Sequence, residues 1–98
     1  MSLNRKLTPL ISGRTIQSGA YRDGLLEIHF TDGSHLRIKA TGAGQLDSLP
    51  GQTVKAIRQK DTSFYVDFAD GTTATLPLAE AMSSVLLRDK DDILEYAD

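Results

Sequence analysis

Leu26-Glu27-Ile28-His29-Phe30-Thr31-Asp32-Gly33-Ser34-His35-Leu36-Arg37-Ile38-Lys39 decides the fold. Apolar and polar residues alternate on both sides of Thr31-Asp32-Gly33, the pattern of two half-buried strands joined by a hairpin. A two-residue Asp-Gly turn would set Phe30 against His35 and Ile28 against Arg37. Core residues would then face solvent, because a one-residue slip turns every side chain over. A three-residue loop with Gly33 at positive φ avoids this. Ile28 then faces Leu36, Leu26 faces Ile38, and on the other side Glu27 meets Arg37.

The same pattern recurs 38 residues on, where 13–40 overlies 51–78 without a gap. Gly13, Thr15, Asp23, Phe30, Asp32 and Gly33 fall on Gly51, Thr53, Asp61, Phe68, Asp70 and Gly71, and Ile16, Leu26, Ile28 and Ile38 on Val54, Phe64, Val66 and Leu76. Each unit reads as a three-stranded meander, a supersecondary unit used twice. First strands are expected at 14–20 and 52–58, with turns near Asp23-Gly24 and Asp61-Thr62. In the second hairpin the loop Ala69-Asp70-Gly71 pairs Val66 with Ala74 and Phe64 with Leu76. Residues 41–50, rich in turn formers, read as a connection within one domain, 1–98. Leu7-Thr8-Pro9-Leu10-Ile11 predicts one helical turn, with Thr8 as its cap and Pro9 at its first position.

The end of the chain admits two readings. Leu78, Met82, Val85 and Leu86 stand at helical spacing, which permits a short helix over about 78–88. The alternative, preferred because Ser83-Ser84 is poor mid-helix chemistry, is a hairpin. In it Val85-Leu86-Leu87-Arg88 returns as Asp92-Ile93-Leu94-Glu95-Tyr96 over the tip Asp89-Lys90-Asp91, with Leu87 facing Ile93. The fold class expected is therefore all-β. Two repeated meanders form a small barrel or sandwich, with a C-terminal hairpin closing or extending a sheet. Its core holds Ile16, Leu26, Ile28, Phe30, Leu36, Ile38, Val54, Phe64, Val66, Phe68, Ala74 and Leu76, with Leu86 or Leu87.

Composition narrows the function classes. The chain has 98 residues, no cysteine and a formal charge of −2, which leaves no disulfide, thiolate–zinc site or cysteine nucleophile. That fits a reducing, cytoplasmic setting. No apolar run approaches a membrane span, and the basic N-terminus has no apolar stretch after it, so no signal peptide is expected. Residues 1–49 carry a balance of +2 and residues 50–98 one of −4, much of it in Asp89, Asp91, Asp92, Glu95 and Asp98. A mildly acidic whole disfavours generic nucleic-acid binding, which favours a basic face.

Candidate sites are few. His29 and His35 lie opposite each other on the polar face of the first hairpin, with Glu27 beside them, whereas a stable zinc site takes three or four protein ligands. Asp89-Lys90-Asp91-Asp92 with Glu95 lacks the glycine and twelfth-position glutamate of a calcium loop. Neither is expected to hold a metal, and no cofactor is implied. Lys55, Arg58 and Lys60 form a basic stretch on one strand, with Tyr65 on the neighbouring strand as a stacking surface for single-stranded nucleic acid. No nucleophile elbow, phosphate loop or paired-histidine metal string occurs, so no enzyme is expected.

Hairpins of the Phe-x-Asp-Gly-Ser/Thr kind, here Phe30 to Ser34 and Phe68 to Thr72, resemble those of many bacterial β domains and of small SH3-like and Sm-like barrels. The likeness covers the hairpins alone and implies a bacterial binding module. The leading expectation is a non-catalytic β module for protein interaction or self-assembly, most simply a homodimer through a sheet edge or an apolar face. The alternative is a small-barrel nucleic-acid-binding protein.

Overall fold

The computed structural model describes residues 6–82 and 84–97. Residues 1–5, Ser83 and Asp98, which entered the readings of the N-terminus, the helical alternative and the acidic tail, lie outside them. The fold is all-β. Helix α1 (Leu7–Ile11) precedes strands β1 (Ile16–Arg22), β2 (Leu25–Phe30) and β3 (His35–Lys39). A 3-10 turn at Leu46–Ser48 leads to β4 (Val54–Lys60), β5 (Ser63–Phe68) and β6 (Thr73–Pro77), and the chain ends in β7 (Val85–Arg88) and β8 (Leu94–Ala97). All pairing is antiparallel, in a five-stranded sheet of order β1-β2-β3-β7-β8 and a three-stranded sheet of order β4-β5-β6. The two form a small sandwich. Among the described residues no helix is long and apolar enough to cross a membrane.

Both central hairpins take the register that alternation demands. Ile28 pairs with Leu36, Leu26 with Ile38, Val66 with Ala74 and Phe64 with Leu76. Gly33 (φ 91°) and Gly71 (φ 89°) occupy the left-handed position after each turn, where a side chain would crowd the following carbonyl. Each turn is closed by its aspartate: Asp32 Oδ1 accepts the N–H of Ser34 at 2.9 Å, and Asp70 Oδ1 that of Thr72 at 2.9 Å. The first strand of each meander, β1 and β4, ends two residues later than expected, at Arg22 and Lys60. In the first unit a two-residue turn with Asp23 and Gly24 both at positive φ carries the ladder to its last pair.

The two meanders meet through isolated bridges at Thr15–Thr53 and Ala40–Leu78. Gly13 N–H donates to the Val54 carbonyl and Gly51 N–H to that of Ile16, each at 2.8 Å. Ile16 N–H reaches Gln52 and Val54 N–H reaches Arg14, and the hydroxyls of Thr15 and Thr53 lie 2.9 Å apart. At the other corner Thr41 N–H donates to Pro77 and Ala79 N–H to Lys39. Every one of these bonds has a counterpart displaced by 38 residues, the pattern of a local two-fold axis. All the expected core residues are buried, with Leu87 rather than Leu86 filling the C-terminal place, and Leu7, Ile11, Leu49, Leu78 and Val85 join them.

Two local expectations are corrected. Thr8 does not cap α1, which starts at Leu7 without a side-chain cap. Its hydroxyl instead accepts the N–H of Ile57 at 2.9 Å and donates to the Ile57 carbonyl at 3.1 Å, satisfying two edge groups of β4 with one side chain. In the C-terminal hairpin Leu87 pairs with Tyr96, not Ile93. Asp89 Oδ1 accepts the N–H groups of Asp91 and Ile93, so Asp89 brackets the loop rather than lying in it. The loop is Lys90-Asp91-Asp92, with Asp92 at φ 64° in the place glycine takes in the other two hairpins. Aspartate is among the few side chains that tolerate that conformation. The helix considered over 78–88 does not form: Leu78 bridges Ala40 and β7 pairs with β3.

Candidate functional site

A sandwich offers three kinds of working surface: the outer face of each sheet, and the sheet edges. On the outer face of the five-stranded sheet, side chains stand in rows across the strands. One row runs His29, His35, Arg88; the next Glu27, Arg37, Leu86; the third Arg22, Leu25, Lys39. His29 and His35 do face each other, with ring centroids 5.8 Å apart. Their nitrogens diverge. His29 Nε2 lies 2.8 Å from Glu27 Oε1, while His35 Nε2 turns toward Asp92 Oδ1 at 3.5 Å. No third ligand converges on the pair, and among the described residues no group of three or more histidine, cysteine or acidic side chains stands together as a metal site. Glu27 also holds Arg37 at 3.4 Å. At the β1 side of this face Ala20, Tyr21, Arg22, Leu25, Glu27 and His29 line an open groove of about 380 Å³.

The outer face of the three-stranded sheet carries the basic stretch read from the sequence. Arg58 pairs across the strands with Tyr65, and its guanidinium lies 5.0 Å over the ring. The same group binds Asp67 through two hydrogen bonds of 2.7 and 2.8 Å. Arg58 holds Asp67 below the ordinary carboxylate range against the effect of its partial burial, and the Thr73 hydroxyl assists. Lys60 closes β4 and Lys55 stands where the β4–β5 register shifts, between Val54 and Ala56. The structure therefore brings Arg58 and Tyr65 together, but occupies both with each other and with Asp67.

The edges differ most, and the residues that cover them are not ones the sequence singles out for that role. β4 is guarded at Ile57 by Thr8. β6 is guarded at Thr75, whose N–H donates to Gln45 Oε1 at 2.7 Å while Gln45 N–H donates back to the Thr75 carbonyl. Leu46 covers β1 so closely that a Cβ on Gly19 would lie 2.6 Å from its Cδ1. The outer side of β8 has no neighbouring strand among the described residues. Ile93 and Leu94 beside it are 61% and 49% exposed. At its register shift the one charged residue of the strand finds a partner: Glu95 forms a two-pronged pair with Arg14 at 2.9 and 3.0 Å. Bulges commonly re-aim a side chain. The signal that could have found it is the tip itself, since Asp89-x-Asp91-Asp92 repeats the turn with aspartate in place of glycine.

Comparison with protein-family models, with curated proteins and with solved structures finds no match for this chain.

Proposed function

We propose that the chain is a non-catalytic β module that joins another protein chain through the outer edge of β8, in the simplest case a second copy about a two-fold axis. The observation that carries this reading is the contrast between three edges covered by Thr8, Gln45 and Leu46 and one with no neighbouring strand among the described residues. An unpaired strand edge is a template for another strand. Lysine on the strand, proline, or an inward-aimed charge usually blunts it. β8 (Leu94–Ala97) has neither lysine nor proline, and its Glu95 is neutralised by Arg14. Leu86, Leu94 and Ala97 share the outer face beside that edge, so antiparallel pairing of two β8 strands would continue one apolar strip across the junction. Closed two-fold pairing leaves no sticky end. The correspondence of 13–40 with 51–78 is read here as a duplicated unit, with the C-terminal hairpin added to one copy as the joining device. A chain without cysteine suits a cytoplasmic setting.

Light scattering coupled to size exclusion at micromolar concentration tests this. A mass near twice the 10.7 kDa chain, reduced to one chain by Leu94→Lys, is the expected result. A wild-type mass of one chain sinks the self-association.

A further inference from the structure

We infer that the outer face of the five-stranded sheet binds single-stranded nucleic acid. The warrant is how charge is sorted in a chain whose net charge is negative. The strands of this sheet put Arg22, Lys39, Arg37 and Arg88 on one face with a single strand carboxylate, Glu27. The aspartates stand in the turns, as Asp23, Asp32, Asp89, Asp91 and Asp92, and of these Asp92 reaches the face, beside His35 and Arg88. Glu27 is already shared between His29 and Arg37, whereas Arg22 and Lys39 form no ion pair among the described residues.

Geometry selects the ligand class. The cations run from β1 across to β7, three inter-strand steps or about 14 Å, which is more than a lone phosphate spans. Between them lie surfaces for bases: the groove beside Leu25, and the half-exposed imidazole of His29. Cations flanking an exposed ring and an apolar groove on a rigid sheet are a means by which proteins hold unpaired strands. A duplex would leave these surfaces unused. The Lys55–Arg58–Lys60 face is the poorer candidate, since Asp67 and the Tyr65 ring both engage Arg58.

Fluorescence anisotropy with labelled RNA and DNA strands of about 12 nucleotides, within the usual span of such sites, tests the inference. The triple variant Arg22→Gln, Arg37→Gln, Lys39→Gln is expected to bind at least tenfold more weakly. Its salt dependence should fall by about 2 log units per log unit of salt, since each cation contributes about 0.7 on a single strand. Lys55→Gln with Lys60→Gln is expected to leave binding within twofold of wild type. Near-UV circular dichroism checks that the triple variant is folded; if it is not, Lys39→Glu alone, at an exposed strand end, is expected to give the same loss. The inference is overturned if the wild type shows no binding at low salt, if the face variants bind as the wild type does, if the duplex is preferred, or if polyglutamate competes as well as the strands.

Discussion

Residues 13–40 and residues 51–78 build the same three strands, the same turn and the same cross-bonds, yet their outer faces share almost nothing. Inward positions keep their character: Phe30 and Phe68, Ile28 and Val66, Leu26 and Phe64 are buried in matching places. Outward positions do not. Glu27 answers to Tyr65, His29 to Asp67, His35 to Thr73, Arg37 to Thr75 and Lys39 to Pro77. A close-packed interior limits both copies alike, while the outer face is free to diverge, so specialised roles are to be sought there. The edges diverge as well. The outer edge of β3 accepts β7, whereas Gln45 closes that of β6. One meander thus grows to five strands and ends on β8, which has no further strand beside it among the described residues; the other stops at three.

If the two halves are mechanically equivalent, their central aromatics cost the same to remove. Phe30→Ala and Phe68→Ala are each expected to destabilise by about 3–5 kcal/mol, the usual figure for a buried aromatic. Urea unfolding checks this, and values differing by more than about 1.5 kcal/mol, beyond ordinary context scatter, would break the comparison.

The guards at the edges sharpen it next. Thr8 and Leu46 stand 38 residues apart, as do Ile57 and Gly19, so the same place is guarded once by a hydrogen-bonding hydroxyl and once by a methyl group. Thr8→Val keeps the shape and leaves the N–H and C=O of Ile57 unpaired, at an expected cost of about 1–3 kcal/mol. Leu46→Ala uncovers Gly19 without orphaning a bonded group, and is expected to cost less. Thermal melts of both variants decide it, with the reverse order counting against the guard assignment.

The hairpin glycines separate the halves more finely. Both need positive φ, so alanine at either is expected to cost about 1 kcal/mol or more. A Cβ at Gly71 meets nothing within 4 Å, but one at Gly33 would sit 2.9 Å from Lys90 Cβ in the C-terminal hairpin tip. Gly33→Ala is therefore expected to be the worse of the two, by an amount that unfolding midpoints resolve. Equal midpoint shifts would mean that the tip yields freely.

These contrasts also show what was legible in the sequence. The two central hairpins were, because alternation and a glycine at the left-handed position leave one register with a dry core. The third was misread by one residue because Asp92 does glycine's work there and Asp89 holds the turn from outside it. Thr8 was placed as a helix cap because its partner, Ile57, is remote in sequence. His29 and His35 were correctly set opposite each other, but not the divergence of their nitrogens, which depends on Glu27 and on Asp92 in a distant hairpin. The place of β8 at the end of its sheet was invisible for the same reason: what covers an edge is tertiary.

The smallest expected effect is in acid. Asp32 and Asp70 both sit below the ordinary carboxylate range. For Asp32, partial burial pushes upward but is outweighed by the hydroxyl and N–H of Ser34 and by Arg14. For Asp70 the Thr72 hydroxyl and N–H are the main cause. A carboxylate whose folded pKa is depressed contributes stability that is present above its unfolded value, 3.8 for both, and lost as pH falls through the folded one. Asparagine keeps an oxygen to accept the turn N–H but carries no charge. Asp32→Asn and Asp70→Asn should therefore lower the melting temperature at about pH 5 and lose less than the wild type on going to about pH 2.5. Asp32→Asn should show the larger change, because Arg14 lies 3.7 Å from the Asp32 carboxylate while Asp70 is bound through neutral partners. Exposed charges contribute little, so the difference is small and best read from full melting curves at several pH values. Acid sensitivity identical to wild type in both variants would place the loss elsewhere, with Asp67 and its partner Arg58 next in line.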